Sequence, residues 1–394
     1  MPKIERESHE ENQMIRDDSS LGMYLHVPFC STTCDFCAFY QERPSKKDFE
    51  TFFSGLSLEI EHISPDRPFS TIFIGGGTPG ILSPHQIKKL GGLLTQLKQE
   101  PNLEWSVEIA PSEITRQKLE AFAEIGVNRI SLGVQTFDSQ LMKKLGRNHE
   151  VSKVEKAFSM IRETGFNSTN LDLIFGIPGQ TLSLWEKDLI QAVEMEPDHL
   201  STYCLTFEED TALFVKLSQG KVSVDPEKEA SFYERTWELL PKHGFAQYEI
   251  SNFAQKGHLC RHNLNTWAMD EWIGYGPSAA TQFQGVRRKN KSNLDHWAKQ
   301  WMNFENIEFD EFTKLSAEDL AYDAVTFGLR MNQGVNLEEV ANKFSLSNKS
   351  FGKMELFMER LAEEHLMKKT HNWRLTPKGR LVADAIARDL PHLS

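Results

Sequence analysis

Residues 24–40 read YLHVPFCSTTCDFCAFY, and three of the chain's five cysteines, Cys30, Cys34 and Cys37, fall there at spacing C-x3-C-x2-C. Thiolates so close together on one short stretch are ligands for a soft metal. Two chemistries suit them. They can hold three irons of a cubane 4Fe–4S cluster, which leaves the fourth iron without a protein ligand and open to the amino and carboxylate groups of a small molecule. Alternatively, His26 completes a Cys3His set around zinc. The zinc reading is the weaker one, because single-stretch zinc sites usually pair two C-x2-C knuckles and His26 lies within a strand-like run. Cys204 and Cys260 stand apart, and five cysteines in 394 residues are too few for a disulfide framework.

Such a loop needs a scaffold. Six strand-like runs recur between residues 22 and 206: GMYLHV, TIFIGG, WSVEIA, RISLGVQ, NLDLIFG and LSTYCLT. Helical patterns at 46–62, 83–98, 115–124, 151–163 and 182–194 intervene, which is the signature of parallel βα units. A closed (β/α)8 barrel needs about eight such units, so the expected fold is α/β, an incomplete (β/α)6 barrel with an open side spanning residues 21–225. Strand parity divides each run into two faces. Trp105, Val107 and Ile109 oppose Ser106, Glu108 and Ala110; Ile130, Leu132 and Val134 oppose Ser131, Gly133 and Gln135; Leu171, Leu173 and Phe175 oppose Asn170 and Asp172. One face is small and polar, as befits an interior that holds a polar ligand.

Residues 226–309 form a barrel extension, a helix at 226–242 followed by a loop-rich aromatic stretch of the kind that often carries function. Residues 310–394 form a mainly helical, winged-helix-like appended domain with 12 Lys+Arg against 13 Asp+Glu, so it has no basic footprint for nucleic acid. The net charge of −12 argues the same way for the whole chain, and RRKNK at 287–291 reads first as a solvated turn. No apolar run is long enough for a membrane span, and the first 20 residues, mixed in charge, are expected to be unstructured rather than a secretory signal. A cytoplasmic protein is expected.

The cysteine spacing directly after a first strand resembles the radical S-adenosylmethionine superfamily, and GGGTP at 75–79 resembles that family's glycine-rich segment. YLHVPFC, GGGTP, LGVQTFD, LGRNH, LDLIFGIPGQT and GYGPSAA occur in the order seen in the oxygen-independent coproporphyrinogen III oxidase-like proteins. The resemblance implies that Cys30, Cys34 and Cys37 carry a 4Fe–4S cluster. It further implies that Tyr24, Phe36, Gly76, Gly77, Thr78, Glu108, Gln135, Arg147, Asp172 and Thr206 surround S-adenosylmethionine, with Arg147 pairing with its carboxylate.

Within that family the oxidases typically carry a fourth cysteine, C-x3-C-x2-C-x-C, and a longer N-terminal segment; here the position is Phe39 and 29 residues precede Cys30. CDFCAFY instead resembles the HemW-type haem chaperone branch, and CRHNLNTW resembles the branch's haem-contact motif, which makes His262 the first candidate axial ligand and Cys260 a second. Thr266 stands where a tyrosine is common in that motif, and Arg287 and Arg288 are candidates for pairing with haem propionates. By this resemblance the partners are haem, a haem-acceptor protein, an electron donor of flavodoxin or ferredoxin type and a second copy of the chain, at a cytoplasmic or membrane-peripheral location. The runner-up function is radical decarboxylation of coproporphyrinogen III. Radical modification of RNA fits the acidic charge poorly.

Overall fold

In the computed structural model, residues 20–147, 151–304 and 307–393 are described. The segment 1–19, most of the expected unstructured N-terminus, lies outside them, as do Asn148 and His149 of the LGRNH motif.

Six parallel strands form the centre of one sheet: β1 (Leu21–Val27), β2 (Phe69–Gly76), β3 (Gln99–Ile109), β4 (Arg129–Gln135), β5 (Ser168–Phe175) and β6 (His199–Cys204). β7 (Ala246–Gln247), β8 (Asn252–Ala254), β9 (Glu271–Tyr275), β10 (Ala280–Phe283), β11 (Val286–Asn290) and β12 (Phe309–Lys314) extend it. The order is β12-β11-β10-β9-β1-β2-β3-β4-β5-β6-β8-β7, so the parallel core runs on at both edges instead of closing on itself. β9 joins β1 in parallel, and β8 joins β6 antiparallel. The stretch read as loop-rich is therefore largely regular: it supplies five sheet strands and the helices Arg261–Trp267 and Leu294–Asn303. β12 also belongs to this sheet, so residues 310–314 pair with β11 rather than with the appended domain.

The apolar faces identified by parity form the core. Trp105, Val107, Ile130, Leu132, Leu171 and Leu173 are buried against flanking helices such as Lys46–His62 and Leu182–Glu194. Local chemistry starts these helices where the sequence suggests. Ser45 caps Lys46–His62 with a reciprocal Ser45/Asp48 capping box, and Thr181 caps Leu182–Glu194 through the Leu184 N–H. The short helix Ala212–Ser218, capped by Thr211, was not expected from the pattern.

The appended domain has its own core, in which Val325, Met354, Met358 and Trp373 pack together; three of its helices precede the hairpin β13 (Met367–Lys369) and β14 (Trp373–Leu375), and the helices Pro377–Leu381 and Ala383–Asp389 follow it. Ile250 and Met269, from the barrel extension, are part of that second core.

Candidate functional site at the mouth of the barrel

The three cysteines lie just past the C-terminal end of β1, and neighbouring elements pin their loop. The Cys30 N–H donates to the Glu42 carbonyl (3.0 Å), the Asp35 N–H to the Leu145 carbonyl (3.0 Å), and the Leu213 N–H to the Asp35 carbonyl (2.9 Å). Lys216 adds an ion pair to the Asp35 carboxylate at 2.7 Å. All three thiols are free and partly exposed. Cys30 Sγ lies 3.1 Å from Thr78 Oγ1, and Arg147 Nε donates to Cys34 Sγ at 3.2 Å. Burial pushes the Cys30 thiol up to about 11, with the Thr78 hydrogen bond opposing, and raises Cys37 as well. Loading iron here must therefore displace protons.

The donor set fits a cluster better than a single ion. His26 has both ring nitrogens engaged: Nε2 donates to the Tyr40 carbonyl (2.8 Å), so Nδ1 accepts from the Tyr24 hydroxyl (3.2 Å). Burial holds its pKa down at about 4. It is a fixed neutral strut, not a fourth ligand. Among the described residues no three His, Cys, Asp or Glu side chains close on one metal ion.

The glycine-rich segment abuts the same loop because nothing larger fits. The Gly77 N–H donates to the Val27 carbonyl (2.8 Å) and the Thr78 N–H to the Phe29 carbonyl (2.7 Å). A Cβ on Gly77 would sit 2.5 Å from the Phe29 carbonyl oxygen, and Gly76 has φ of 102° with the His26 ring 2.7 Å from where its Cβ would be.

The polar faces of β3, β4 and β5 meet below this mouth. Glu108 is pushed up to about 8, first by burial and then by the charge of Asp172, against a hydrogen bond from the Gly76 backbone. Burial also raises Asp172, which is steadied by Ser131 (2.7 Å) and Asn170 (2.8 Å). Arg147 reaches over β4 to the Gly133 carbonyl at 2.9 Å. Gln135, after a register irregularity in β4, has φ of 71°, a conformation that a residue with a side chain keeps only when its surroundings enforce it. The Phe36 ring lies 5.8 Å from the Arg147 guanidinium, and Thr206 is exposed just beyond the end of β6, at this same end.

His262 lies elsewhere. It is not on a loop: it sits in helix Arg261–Trp267, buried at the opposite end of the strands, with Nδ1 3.0 Å from Thr71 Oγ1 and its ring stacked on Phe73 at 5.1 Å. Burial lowers its pKa to about 4. Glu104 of β3, which the sequence reading did not single out, organises this end by accepting the Arg261 and His262 N–H groups, each at 2.9 Å. Cys260 is buried beside the same carboxylate, and burial raises its thiol to about 12. Lys343 of the appended domain donates to the Ala268 carbonyl and the Asp270 carboxylate, each at 2.8 Å. The helix is thus tied down at both ends. Arg287 is also committed, to Asp323 at 2.7 Å, and Arg288 lies over the Phe309 ring at 4.7 Å. RRKNK is mostly the strand β11, paired with β10 on one side and β12 on the other, and Lys289 and Lys291 are matched by Glu311, Glu308 and Asp310.

Comparison with known proteins agrees with this architecture. Residues 24–190 match the Radical SAM superfamily, which implies a 4Fe–4S cluster and S-adenosylmethionine, and residues 315–382 match the HemN C-terminal domain. The structure resembles that of coproporphyrinogen III oxidase (HemN) from Escherichia coli with a TM-score of 0.81, covering 94% of this chain and 89% of that one at 24% identity, a likeness of fold. The chain is 33% identical over 375 residues to Heme chaperone HemW of Bacillus subtilis (92% of this chain, 97% of the relative). It is 32% identical to Heme chaperone HemW of Lactococcus lactis over 359 residues, covering 90% and 93%. Likeness of that extent, carried by a three-cysteine loop at the mouth of an open parallel barrel, makes this chain a member of the HemW family within the radical SAM superfamily.

Proposed function

We propose that this protein is a haem chaperone: it binds haem and passes it to acceptor proteins, and carries a 4Fe–4S cluster on Cys30, Cys34 and Cys37 with S-adenosylmethionine bound beside it. The observation that carries this reading is identity along nearly the whole chain to relatives bearing that name. A second feature agrees. Phe39, where the oxidase-like pattern has a further cysteine, is 64% exposed and offers an apolar surface instead of a ligand.

A reduced cluster supplies one electron for cleaving the sulfonium of S-adenosylmethionine. The chain's residues do the holding. Tyr24, Phe36, Gly76, Gly77, Thr78, Glu108, Gln135, Arg147, Asp172 and Thr206 are the proposed nucleotide contacts. Glu108, protonated up to about pH 8, can donate a hydrogen bond at neutral pH while Asp172 accepts several. The Tyr24 hydroxyl is spent on His26, leaving its oxygen lone pair to accept from a ligand N–H.

For haem, His262 remains the proposed axial ligand. Its burial keeps the imidazole neutral, the form that binds iron, and Nε2 has no hydrogen-bond partner among the described residues. Coordination requires the Phe73 stack to open. The test uses anaerobically reconstituted protein with haem and, separately, with coproporphyrinogen III. Retention of haem and its delivery to a haem-free acceptor, with no loss of porphyrinogen carboxyl groups, is expected; carboxyl loss without haem retention overturns the reading. An unchanged haem spectrum in His262→Ala removes that residue as ligand.

A further inference from the structure

One cavity lies outside the polar barrel interior and borders the cysteine loop. It holds about 520 Å³ and opens between the turn after β5 and helices Ala212–Ser218 and Pro226–Lys242. That volume falls within the range of roughly 300–1,000 Å³ typical of small-molecule sites. Its lining is mixed and more polar than apolar. Ile177, Pro178, Leu213 and Phe232 border it, three of them buried, and Lys144, Lys216, Lys221 and Lys228 contribute four ammonium groups against the carboxylates of Asp225 and Glu229. A chain of net charge −12 has thus collected a local excess of positive charge around one concavity.

The four lysines are not equivalent. Lys144 is held by the Pro178 carbonyl at 2.8 Å, and Gly179 beside it has φ of 78°, a left-handed conformation that favours glycine. Lys216 is paired with Asp35. Lys221 and Lys228 form no ion pair among the described residues; Lys228 lies 5.9 Å over the Phe232 ring. The Asp225 carboxylate is already engaged as the cap of Pro226–Lys242, accepting the Lys228 N–H at 3.1 Å. Two cations bordering this concavity are therefore left to meet anions from outside.

We infer that this cavity binds the two carboxylate groups of a dicarboxylate, a porphyrin carrying two propionates, with Lys221 and Lys228 receiving the acids at its rim. The choice of porphyrin rests on the haem reading above, but His262 lies at the opposite end of the strands, so this is a second porphyrin site, separate from the one His262 would ligate. The dicarboxylate chemistry rests on the cavity alone. The wall helix Ala212–Ser218 contacts the cysteine loop twice, through Leu213 N–H and Lys216 to Asp35. Ligand seated here bears directly on the segment between Cys34 and Cys37.

The experiment is a fluorescence titration of the full chain with metal-free protoporphyrin IX, which offers both propionates and no iron, into wild type and a Lys221→Gln/Lys228→Gln variant whose melting curve is checked first. The variant is expected to bind about ten-fold more weakly, as for two solvent-facing ion pairs, and the dimethyl ester to bind wild type as weakly as the diacid binds the variant. Equal affinity of wild type and variant for the diacid, or of wild type for diacid and diester, overturns the assignment. Pyrophosphate that displaces the porphyrin at equal concentration also overturns it, by making the site a general anion trap. Wild type that binds the diacid through these lysines yet delivers no haem to an acceptor rejects the chaperone reading and keeps the cavity. Haem delivery with unchanged affinity in the variant does the reverse.

Discussion

The two ends of the barrel strands are built on opposite plans. At the C-terminal ends, free thiols, a carboxyl raised to about 8 and a glutamine at φ of 71° crowd around open space. At the N-terminal ends, polar groups answer one another: Glu104 takes two backbone N–H groups, Thr71 meets His262, and His199 bridges Asn170 (2.6 Å) and Tyr248 (2.8 Å). The N-terminal end is tied together largely by the protein's own hydrogen bonds, with only the His262 Nε2 left over for a ligand among the groups named. The C-terminal end gathers groups whose chemistry suits a ligand, three free thiols and a carboxyl raised to about 8.

Removing the ligands at the open end gives the largest effect. Cys30→Ala/Cys34→Ala/Cys37→Ala should lose all bound iron and acid-labile sulfide after anaerobic reconstitution, with an almost unchanged melting temperature in the iron-free state; retained sulfide would break the contrast at once. The ends should next differ in the sign of their response to pH in iron-free protein. Folded Glu108 keeps its proton up to about pH 8, against an ordinary 4.5, so the folded state binds more protons in that window and stability falls as pH rises from 4.5 to 8. His262 is the mirror image. Its folded value is about 4 against 6.5, the unfolded chain takes the proton first, and stability is lost as pH falls from 6.5 to 4. Each slope approaches ~1.4 kcal/mol per pH unit within its window. The two slopes oppose each other between pH 4.5 and 6.5. Urea titrations at several pH values should therefore show Glu108→Gln abolishing the fall from 6.5 to 8 and unmasking the His262 rise through 4.5–6.5. His262→Gln should abolish the rise from 4 to 4.5 and unmask the Glu108 fall through 4.5–6.5.

Glu104→Ala tests the closed end more gently. It strands two backbone N–H groups at a helix start and should cost about 1–3 kcal/mol in urea unfolding. Lys343→Ala should cost least, under about 1 kcal/mol, since its partners remain within reach of water. A larger loss from Lys343→Ala than from Glu104→Ala would show that the appended domain, not β3, fixes the His262 helix.

Most of the open end was legible in the sequence. Period-2 alternation placed Glu108, Gln135 and Asp172 on one face, and the resemblance grouped Arg147 and Thr78 with the cysteines, although it did not foresee that Arg147 would touch Cys34 and Thr78 would touch Cys30. The closed end was not. Its key contacts join residues far apart in the chain, Glu104 to His262 and Lys343 to Asp270, through single hydrogen bonds that leave no periodic trace. Two outer strands escaped notice for a different reason. VRRKN, paired on both sides, and FDEFTK, at the sheet edge, are short and charged and lack the apolar alternation that marks a strand in sequence. The Thr71 and Phe73 contacts of His262 could have been suspected only by asking which β2 side chains share the inner face with Gly75.

The appended domain takes Ile250 and Met269 into its core, grips the helix after Cys260 through Lys343, and hydrogen-bonds Asn332 to the Tyr248 carbonyl at 2.9 Å and the Gln247 carbonyl at 2.7 Å. Modularity in the sequence is therefore not modularity in three dimensions. A fragment truncated after residue 314 would bare apolar surface on both pieces and release the C-terminal end of the His262 helix from Lys343, so cutting the chain between the two cores costs each of them a wall.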